Sequence, residues 1–147
     1  MDKKPITVFT GTYRHSLDEK NRIFLPAKFR RKTRALMITP GMENCLFLYT
    51  VDAWMRLAGK FGGLGLADKS KERMFKRVFM SDAAELNIDA QGRITIPQEL
   101  KNRAGIKREA VVIGVWDRVE IWPQDRWKKY SSGGKKLFDE LSDKLEI

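Results

Sequence analysis

The chain has 147 residues, a length that suits one domain. It carries 29 lysines and arginines against 19 aspartates and glutamates, a net charge of +10. This charge favours a polyanionic partner, with nucleic acid favoured over an anionic membrane. One cysteine and one histidine exclude an internal disulfide and argue against a metal site, and we predict no cofactor. No apolar run approaches the ~20 residues of a membrane span, and the charged start lacks the pattern of a signal peptide, so we expect a cytoplasmic protein.

A short motif occurs twice along the chain. Residues 17–26 read Leu-Asp-Glu-Lys-Asn-Arg-Ile-Phe-Leu-Pro, and residues 88–97 read Ile-Asp-Ala-Gln-Gly-Arg-Ile-Thr-Ile-Pro. The aspartate, arginine and proline recur at the same spacing, 71 positions later, which indicates two copies of one structural unit. Half of this chain is too small to bury a strong core alone. We therefore predict that the copies share one core, within the chain or between subunits.

The centre of each motif predicts a tight turn between two strands. Asp18 and Asp89 can each accept a backbone N–H from two residues further on. Asn21 and Gly92 can each take the left-handed conformation that ends a three-residue hairpin loop. Alternating apolar and polar residues predict strands beside these turns at 13–17, 22–25 and 84–88.

A proline closes each motif and favours a switch from strand to helix. It keeps the preceding residue extended and suits the first turn of a helix. We predict short helices over residues 27–35 and 98–104, the second ending at Gly105. Further strands are predicted at 35–38, 45–49, 111–116 and 119–122. Each unit then reads strand, turn, strand, short helix, strand, strand, helix.

Apolar stripes at helical spacing predict helices in the other segments. One stripe includes Trp54 and ends at a glycine-rich stretch, one spans residues 68–80, and one follows Ser-Ser-Gly-Gly at 131–134 with leucines at 137, 141 and 145. Such stripes are normally core, although a tail helix set apart by glycines could dock on a neighbouring subunit. The predicted organisation is a first repeat at 9–58, a Gly-rich linker and helix at 59–80, a second repeat at 81–127 and a C-terminal helical tail at 128–147.

The repeated aspartate and arginine have two interpretations. In one, they form an ion pair that pins the turn, although an exposed pair contributes only about 0–1 kcal/mol. In the other, the aspartate shapes the turn and the arginine contacts phosphate or guanine. Basic residues around the first motif favour the second interpretation, and that motif is expected to do more of the binding. The predicted DNA contacts are Arg14, Lys20, Arg22, Lys28, Arg30 and Arg93.

Catalytic patterns are absent from the sequence. There is no nucleophile elbow, no phosphate-binding glycine loop and no pairing of histidine with carboxylates at metal-ligand spacing. We therefore predict that the protein is not an enzyme and has no small-molecule substrate.

Taken together, these motifs resemble those of the MraZ family. The resemblance is carried by Phe-Thr-Gly-Thr-Tyr-Arg-His-Ser-Leu-Asp at 9–18, Asn-Arg at 21–22, Pro-Ala-Lys-Phe-Arg at 26–30, and by the segments 89–97, 104–106 and 120–122. Asn21 departs from the glycine that the family usually has, which the turn should tolerate. The resemblance implies an α+β fold in which two tandem AbrB-like swapped-hairpin units share one core, with flanking helices.

The resemblance also implies a function. Members of this family are expected to be nucleoid-associated transcriptional regulators that form ring-shaped homo-oligomers. They bind direct repeats of duplex DNA in the promoter of the cell-division and cell-wall gene cluster, with repression as the expected sign. The paired motifs place the DNA contacts at Arg22 and Arg93 and the turn-forming residues at Asp18 and Asp89. The alternatives are an oligomeric ring scaffold and an RNA-binding protein, the latter less favoured because few aromatic residues flank the first motif.

Overall fold

Each half of the chain contributes four strands in the same order. The computed structural model describes residues 8–30, 33–63 and 65–146. The strands are β1 (Thr12–Ser16), β2 (Arg22–Phe24), β3 (Ala35–Pro40), β4 (Leu46–Thr50), β5 (Ala84–Asn87), β6 (Arg93–Thr95), β7 (Glu109–Val115) and β8 (Arg118–Pro123). The helices are α1 (Val51–Lys60), α2 (Lys69–Ser81), α3 (Gln98–Ala104) and α4 (Gln124–Leu145), with 3-10 turns at Ala27–Phe29 and Phe61–Gly63.

The strands of the two halves are interleaved. Six of them form one antiparallel sheet in the order β1-β7-β8-β4-β3-β5, and β2 pairs with β6 in a separate two-stranded ribbon. The order is symmetric about its centre. The outer strands β1 and β5 are equivalent in the two copies, as are β7 and β3, and β8 and β4. Thus β1 pairs with a strand of the second half, and β5 pairs with a strand of the first. This mixed α+β architecture agrees with the predicted fold class, and the exchange is consistent with swapped hairpins.

A common core lies between the ribbon and one face of the six-stranded sheet. Ile23 and Ile94 point into it from the ribbon and are 0% and 1% exposed. Leu36, Leu48 and Val112 belong to the same cluster, so both halves contribute to it. The shared core predicted from the sequence is therefore present within a single chain.

A second, aromatic cluster covers the opposite face of the sheet. It contains Tyr49, Trp54 and Trp122, with Phe79 of α2 and Trp127 of α4 packed against it. Cys45 is buried in this cluster, and burial raises the pKa of its thiol to about 12. A thiol with a raised pKa in apolar surroundings is protonated at neutral pH and unreactive.

Two of the predicted helices differ from those observed. The helix expected over 27–35 is only the 3-10 turn Ala27–Phe29, and Ala35 already begins β3; residues 31–32 lie outside the described part. Arg34 and Arg108 are structural equivalents, since their carbonyls accept from Ile88 and Leu17 respectively. Arg34 comes eight positions after Pro26 and Arg108 eleven positions after Pro97, so the first copy has too few residues for a full helix before its strand.

The tail helix also differs from its prediction. It does not begin after the Ser-Ser-Gly-Gly segment but runs without a break from Gln124 to Leu145. Its register is set at the start, where Trp127 and Tyr130 pack against Trp122. Propagation from that anchored turn is easier than starting a new helix. No helix in the described ranges is both long and apolar enough to cross a membrane.

Candidate nucleic-acid interface

The first motif folds into a turn organised by the carboxylate of Asp18. Its Oδ1 accepts hydrogen bonds from the backbone N–H groups of Lys20 at 2.9 Å and Arg22 at 2.8 Å. The backbone N–H of Asn21 donates to the carbonyl of Asp18 at 3.1 Å, and Asn21 has a φ of 59°. The predicted turn chemistry, an aspartate acceptor followed by a left-handed residue, is confirmed.

The second motif repeats this geometry. Oδ1 of Asp89 accepts from the backbone N–H groups of Gln91 at 2.9 Å and Arg93 at 2.8 Å, and Gly92 has a φ of 82°. Asn21 and Gly92 therefore adopt the same left-handed backbone conformation at equivalent positions of the two copies.

Each aspartate also holds the arginine of its own motif. Arg22 Nε donates to Asp18 Oδ2 at 2.6 Å, and Arg93 Nε donates to Asp89 Oδ2 at 2.8 Å. In both cases the pKa of the aspartate is lowered, chiefly by the hydrogen bond from the arginine backbone N–H. Desolvation, the next largest effect, raises the pKa, and the hydrogen bond from the arginine side chain lowers it further. The carboxylate that forms the turn also fixes the position of the guanidinium. The ion pair and an arginine available for binding are therefore compatible interpretations of the motif.

The two arginines lie on the outer face of the β2–β6 ribbon. Arg22 pairs with Thr95 and Arg93 pairs with Phe24, while Ile23 and Ile94 face the core between them. The arginines are diagonal neighbours across the two strands, so their Cα atoms lie about 7–8 Å apart. Among the described residues, their guanidinium hydrogen bonds involve only Nε, so the Nη atoms can bind a ligand.

Phe24 makes the outer face asymmetric. It is 47% exposed, and the guanidinium carbon of Arg93 lies 5.8 Å from its ring centroid. Its equivalent in the second copy is Thr95, so Arg22 has no such ring beside it. Phe24 is not among the site residues predicted from the sequence; its position two residues after the arginine, on the same face of the strand, is the signal that identifies it.

Each turn is supported by side chains from the opposite half of the chain. Asn21 accepts a hydrogen bond from Lys101 Nζ at 2.9 Å and donates to Gln98 Oε1 at 2.8 Å. The guanidinium of Arg30 covers Gly92, where an added Cβ would lie 2.7 Å from Cζ, and Arg30 Nε donates to the carbonyl of Leu25 at 3.1 Å. Arg30 was predicted beside the first motif, but strand exchange carries it to the second turn.

The other predicted DNA contacts occupy different places. Lys20 is exposed within the first turn. The amino group of Lys28 lies 5.2 Å from the centroid of the Tyr13 ring. Arg14 pairs with Val111, whose side chain belongs to the aromatic cluster, so Arg14 points to the sheet face away from the ribbon. The structure places Arg22 and Arg93 on one face of the ribbon and Lys20 in the turn beside Arg22. DNA contact by these residues and by Arg14, Lys28 and Arg30 stays a prediction.

Comparison with known proteins agrees with this duplicated architecture. A family model described as "MraZ protein, putative antitoxin-like" matches the chain twice, at residues 8–78 and 79–145. The chain belongs to the MraZ family. The protein named transcriptional regulator MraZ from Alkaliphilus oremlandii is 42% identical over 139 residues, which cover 94% of this chain and 96% of that protein. The equally named MraZ proteins of Syntrophomonas wolfei and Finegoldia magna are 42% and 41% identical over the same shares of both chains. These relatives are named as transcriptional regulators and not as enzymes.

Proposed function

We propose that this protein is a transcriptional regulator that binds duplex DNA in a sequence-specific manner through the outer face of its β2–β6 ribbon. The observation that carries the proposal is the presence of Arg22 and Arg93 on that face, each held by an aspartate of its own turn. The B-DNA major groove is about 12 Å wide and admits a two-stranded ribbon. Two arginines whose Cα atoms lie about 7–8 Å apart fit within that width.

The aspartates support this role without blocking it. A bare carboxylate at the tip would repel DNA, but Asp18 and Asp89 each accept two backbone N–H groups and one arginine Nε. The Nη1 and Nη2 atoms of the arginines are then presented in a fixed direction. Two N–H donors of one guanidinium, such as those on Nη1 and Nη2, can contact O6 and N7 of a guanine together.

The proposed target is the promoter of the cell-division and cell-wall gene cluster, and the proposed outcome is repression within the nucleoid. This part rests on the resemblance of the motifs to the MraZ family. One ribbon makes few contacts, so tight binding to tandem direct repeats needs several linked copies. Self-association into a ring would provide them, and the exposed apolar residues Leu137, Phe138, Leu141 and Leu145 of α4 are candidates for the contact between copies.

Binding of labelled duplexes from the promoter region tests this function. We expect the wild-type protein to bind the direct repeats and Arg22→Ala to lose about 5- to 150-fold in affinity, because a bidentate guanine contact is worth about 1–3 kcal/mol. Arg56→Ala is the matched control, since Arg56 is an exposed arginine on α1, in the layer away from the ribbon. Equal affinity of the Arg22 and Arg56 variants would contradict the proposal.

Competition identifies the class of nucleic acid. Unlabelled duplex should displace the probe far better than single-stranded RNA of the same length. Preferential displacement by RNA would favour an RNA-binding role, in which exposed Phe24 stacks on a base. Assembly without binding to either nucleic acid would favour a ring scaffold.

A further inference from the structure

A basic cleft of about 470 Å³ opens beside the first turn. Its cations are Lys20 and Arg22 of the first motif together with Lys101, Lys107 and Arg108 of the second half. Strand exchange assembles it, because the backbone N–H of Leu17 donates to the carbonyl of Arg108 at 2.8 Å. Residues far apart in sequence thus form one wall.

Acidic residues in the cleft do little to neutralise these charges. Asp18 is already bonded to two backbone N–H groups and to Arg22, which leaves Glu19 as the other carboxylate of the lining. Within the described part of the chain, no ion pair or side-chain hydrogen bond involves the side chains of Lys20, Lys107 or Arg108. A group of unpaired cations around a concave surface attracts an external anion.

One cation of the cleft is fixed before any ligand arrives. The hydrogen bond from Lys101 Nζ to Asn21 Oδ1 holds that ammonium group at the floor of the turn, and Lys101 is only partly exposed. Lys107 and Arg108 are exposed at the rim. A tetrahedral anion with several acceptor oxygens can engage both a fixed donor and mobile ones.

We propose that this cleft binds a backbone phosphate of the duplex whose groove Arg22 enters. The inference rests on the proposed function and extends it, since it assigns Lys101, Lys107 and Arg108 to the DNA interface. Phosphate contacts position a protein on the duplex, whereas base contacts read its sequence. The cleft therefore anchors one end of the ribbon and leaves base reading to the two arginines.

The cleft also gives the ribbon a direction. At the second turn, Gln91 stands in place of Lys20. Arg34 matches Arg108, because their carbonyls accept from Ile88 and Leu17 respectively, so the residue before it, Thr33, stands in place of Lys107. Arg30 and Arg34 keep positive charges in the places of Lys101 and Arg108, so among the described residues the second turn has two cations fewer than the first. The first turn is therefore the stronger phosphate anchor, and the pseudo-symmetric ribbon lies on DNA in one orientation.

The salt dependence of DNA binding tests the cleft. The double variant Lys107→Ala/Arg108→Ala is compared with Lys71→Ala/Arg73→Ala, which removes the same charge from exposed positions of α2. For each repeat bound, we expect the slope of log affinity against log salt to become shallower by about 0.9 for each phosphate that the variant no longer neutralises. The preference for the direct-repeat sequence should be unchanged, the α2 variant should retain the wild-type slope, and Lys107→Arg should retain it as well.

The result separates this inference from the proposed function. If the wild type binds duplex and Arg22→Ala does not, but the Lys107/Arg108 variant keeps the wild-type slope, the cleft assignment is overturned alone. If the wild type does not bind duplex, both are overturned. A parallel series in inorganic phosphate at the same ionic strength should match the chloride series; inhibition specific to phosphate, absent from the double variant, would assign the cleft to the free anion and overturn the DNA-backbone assignment.

Discussion

Asn21 and Lys101 lie 80 positions apart in sequence, yet Lys101 Nζ donates a hydrogen bond to Asn21 Oδ1 at 2.9 Å. The bond joins the turn of the first motif to the helix that follows the second. Its equivalent at the other turn is the contact of Arg30 with Gly92. Both turns are therefore held by the opposite half of the chain, so folding of each candidate DNA-binding loop depends on both copies.

Substitution of Asn21 tests this cross-support. Asn21→Ala should lower the free energy of unfolding by about 1–3 kcal/mol, because alanine loses two hydrogen bonds and still has to adopt a positive φ. Asn21→Gly should cost less than Asn21→Ala, since glycine takes that conformation freely. Denaturant unfolding measures both variants, and equal losses would show that the asparagine side-chain bonds, and not the backbone, dominate.

Gly92 should resist a side chain for two separate reasons. Its φ is 82°, and an added Cβ would lie 2.7 Å from Arg30 Cζ. We expect Gly92→Ala to lower the free energy of unfolding by about 1–2 kcal/mol from the backbone alone, with a further loss from displacement of Arg30. In an Arg30→Ala background the second part should disappear, which a double-mutant cycle detects.

Gly59→Ala is the matched control for this prediction. Gly59 lies inside α1, and an added Cβ would meet nothing within 4 Å. Alanine there should raise stability by up to about 1 kcal/mol. Destabilisation by both glycine substitutions would argue against the turn-specific explanation.

The turn aspartates should make stability depend on acidic pH. The pKa of Asp18 and of Asp89 is lowered in the fold from a reference of 3.8. The unfolded chain then binds protons more readily, so this stabilisation is present above about pH 4 and is lost as the pH falls through the folded pKa values. Melting temperatures of the wild type and of Asp18→Asn/Asp89→Asn should differ at pH 7 and converge near pH 2. A constant difference across that range would exclude the ionised carboxylates as its source.

The exposed part of α4 should mediate self-association. Residues 132–141 are all exposed, and Gly133 and Gly134 lie inside the helix. Each internal glycine costs about 1 kcal/mol relative to alanine, so a helix without a partner here would be marginal. We expect Leu141→Glu to shift sedimentation towards the 17.0 kDa monomer. Lys136→Glu, an exposed change on the same helix, is the control, and identical sedimentation of both variants would exclude this stripe as the contact.

The two turns could be predicted from sequence because their chemistry is local. Asp18 bonds within four residues, and a positive φ at Gly92 follows from the residue type. Their surroundings could not be predicted in the same way, since the exchange of strands moves Arg30 to the second turn and Lys101 to the first. Proximity in sequence therefore placed Arg30 and Lys101 beside the wrong turn. The short 27–35 segment illustrates the same limit, because the position of Ala35 is decided by its pairing with Asn87.

The β2–β6 ribbon is built from the two halves of a single polypeptide. A ribbon shared by two identical chains would be obliged to keep both ends alike, and its binding site would be palindromic. Covalent linkage removes that obligation: Phe24 could diverge from Thr95, and Lys20 from Gln91, without altering the partner strand. In the proposed DNA-binding role, a ribbon with two different ends would match an asymmetric sequence, which is what each unit of a direct repeat is.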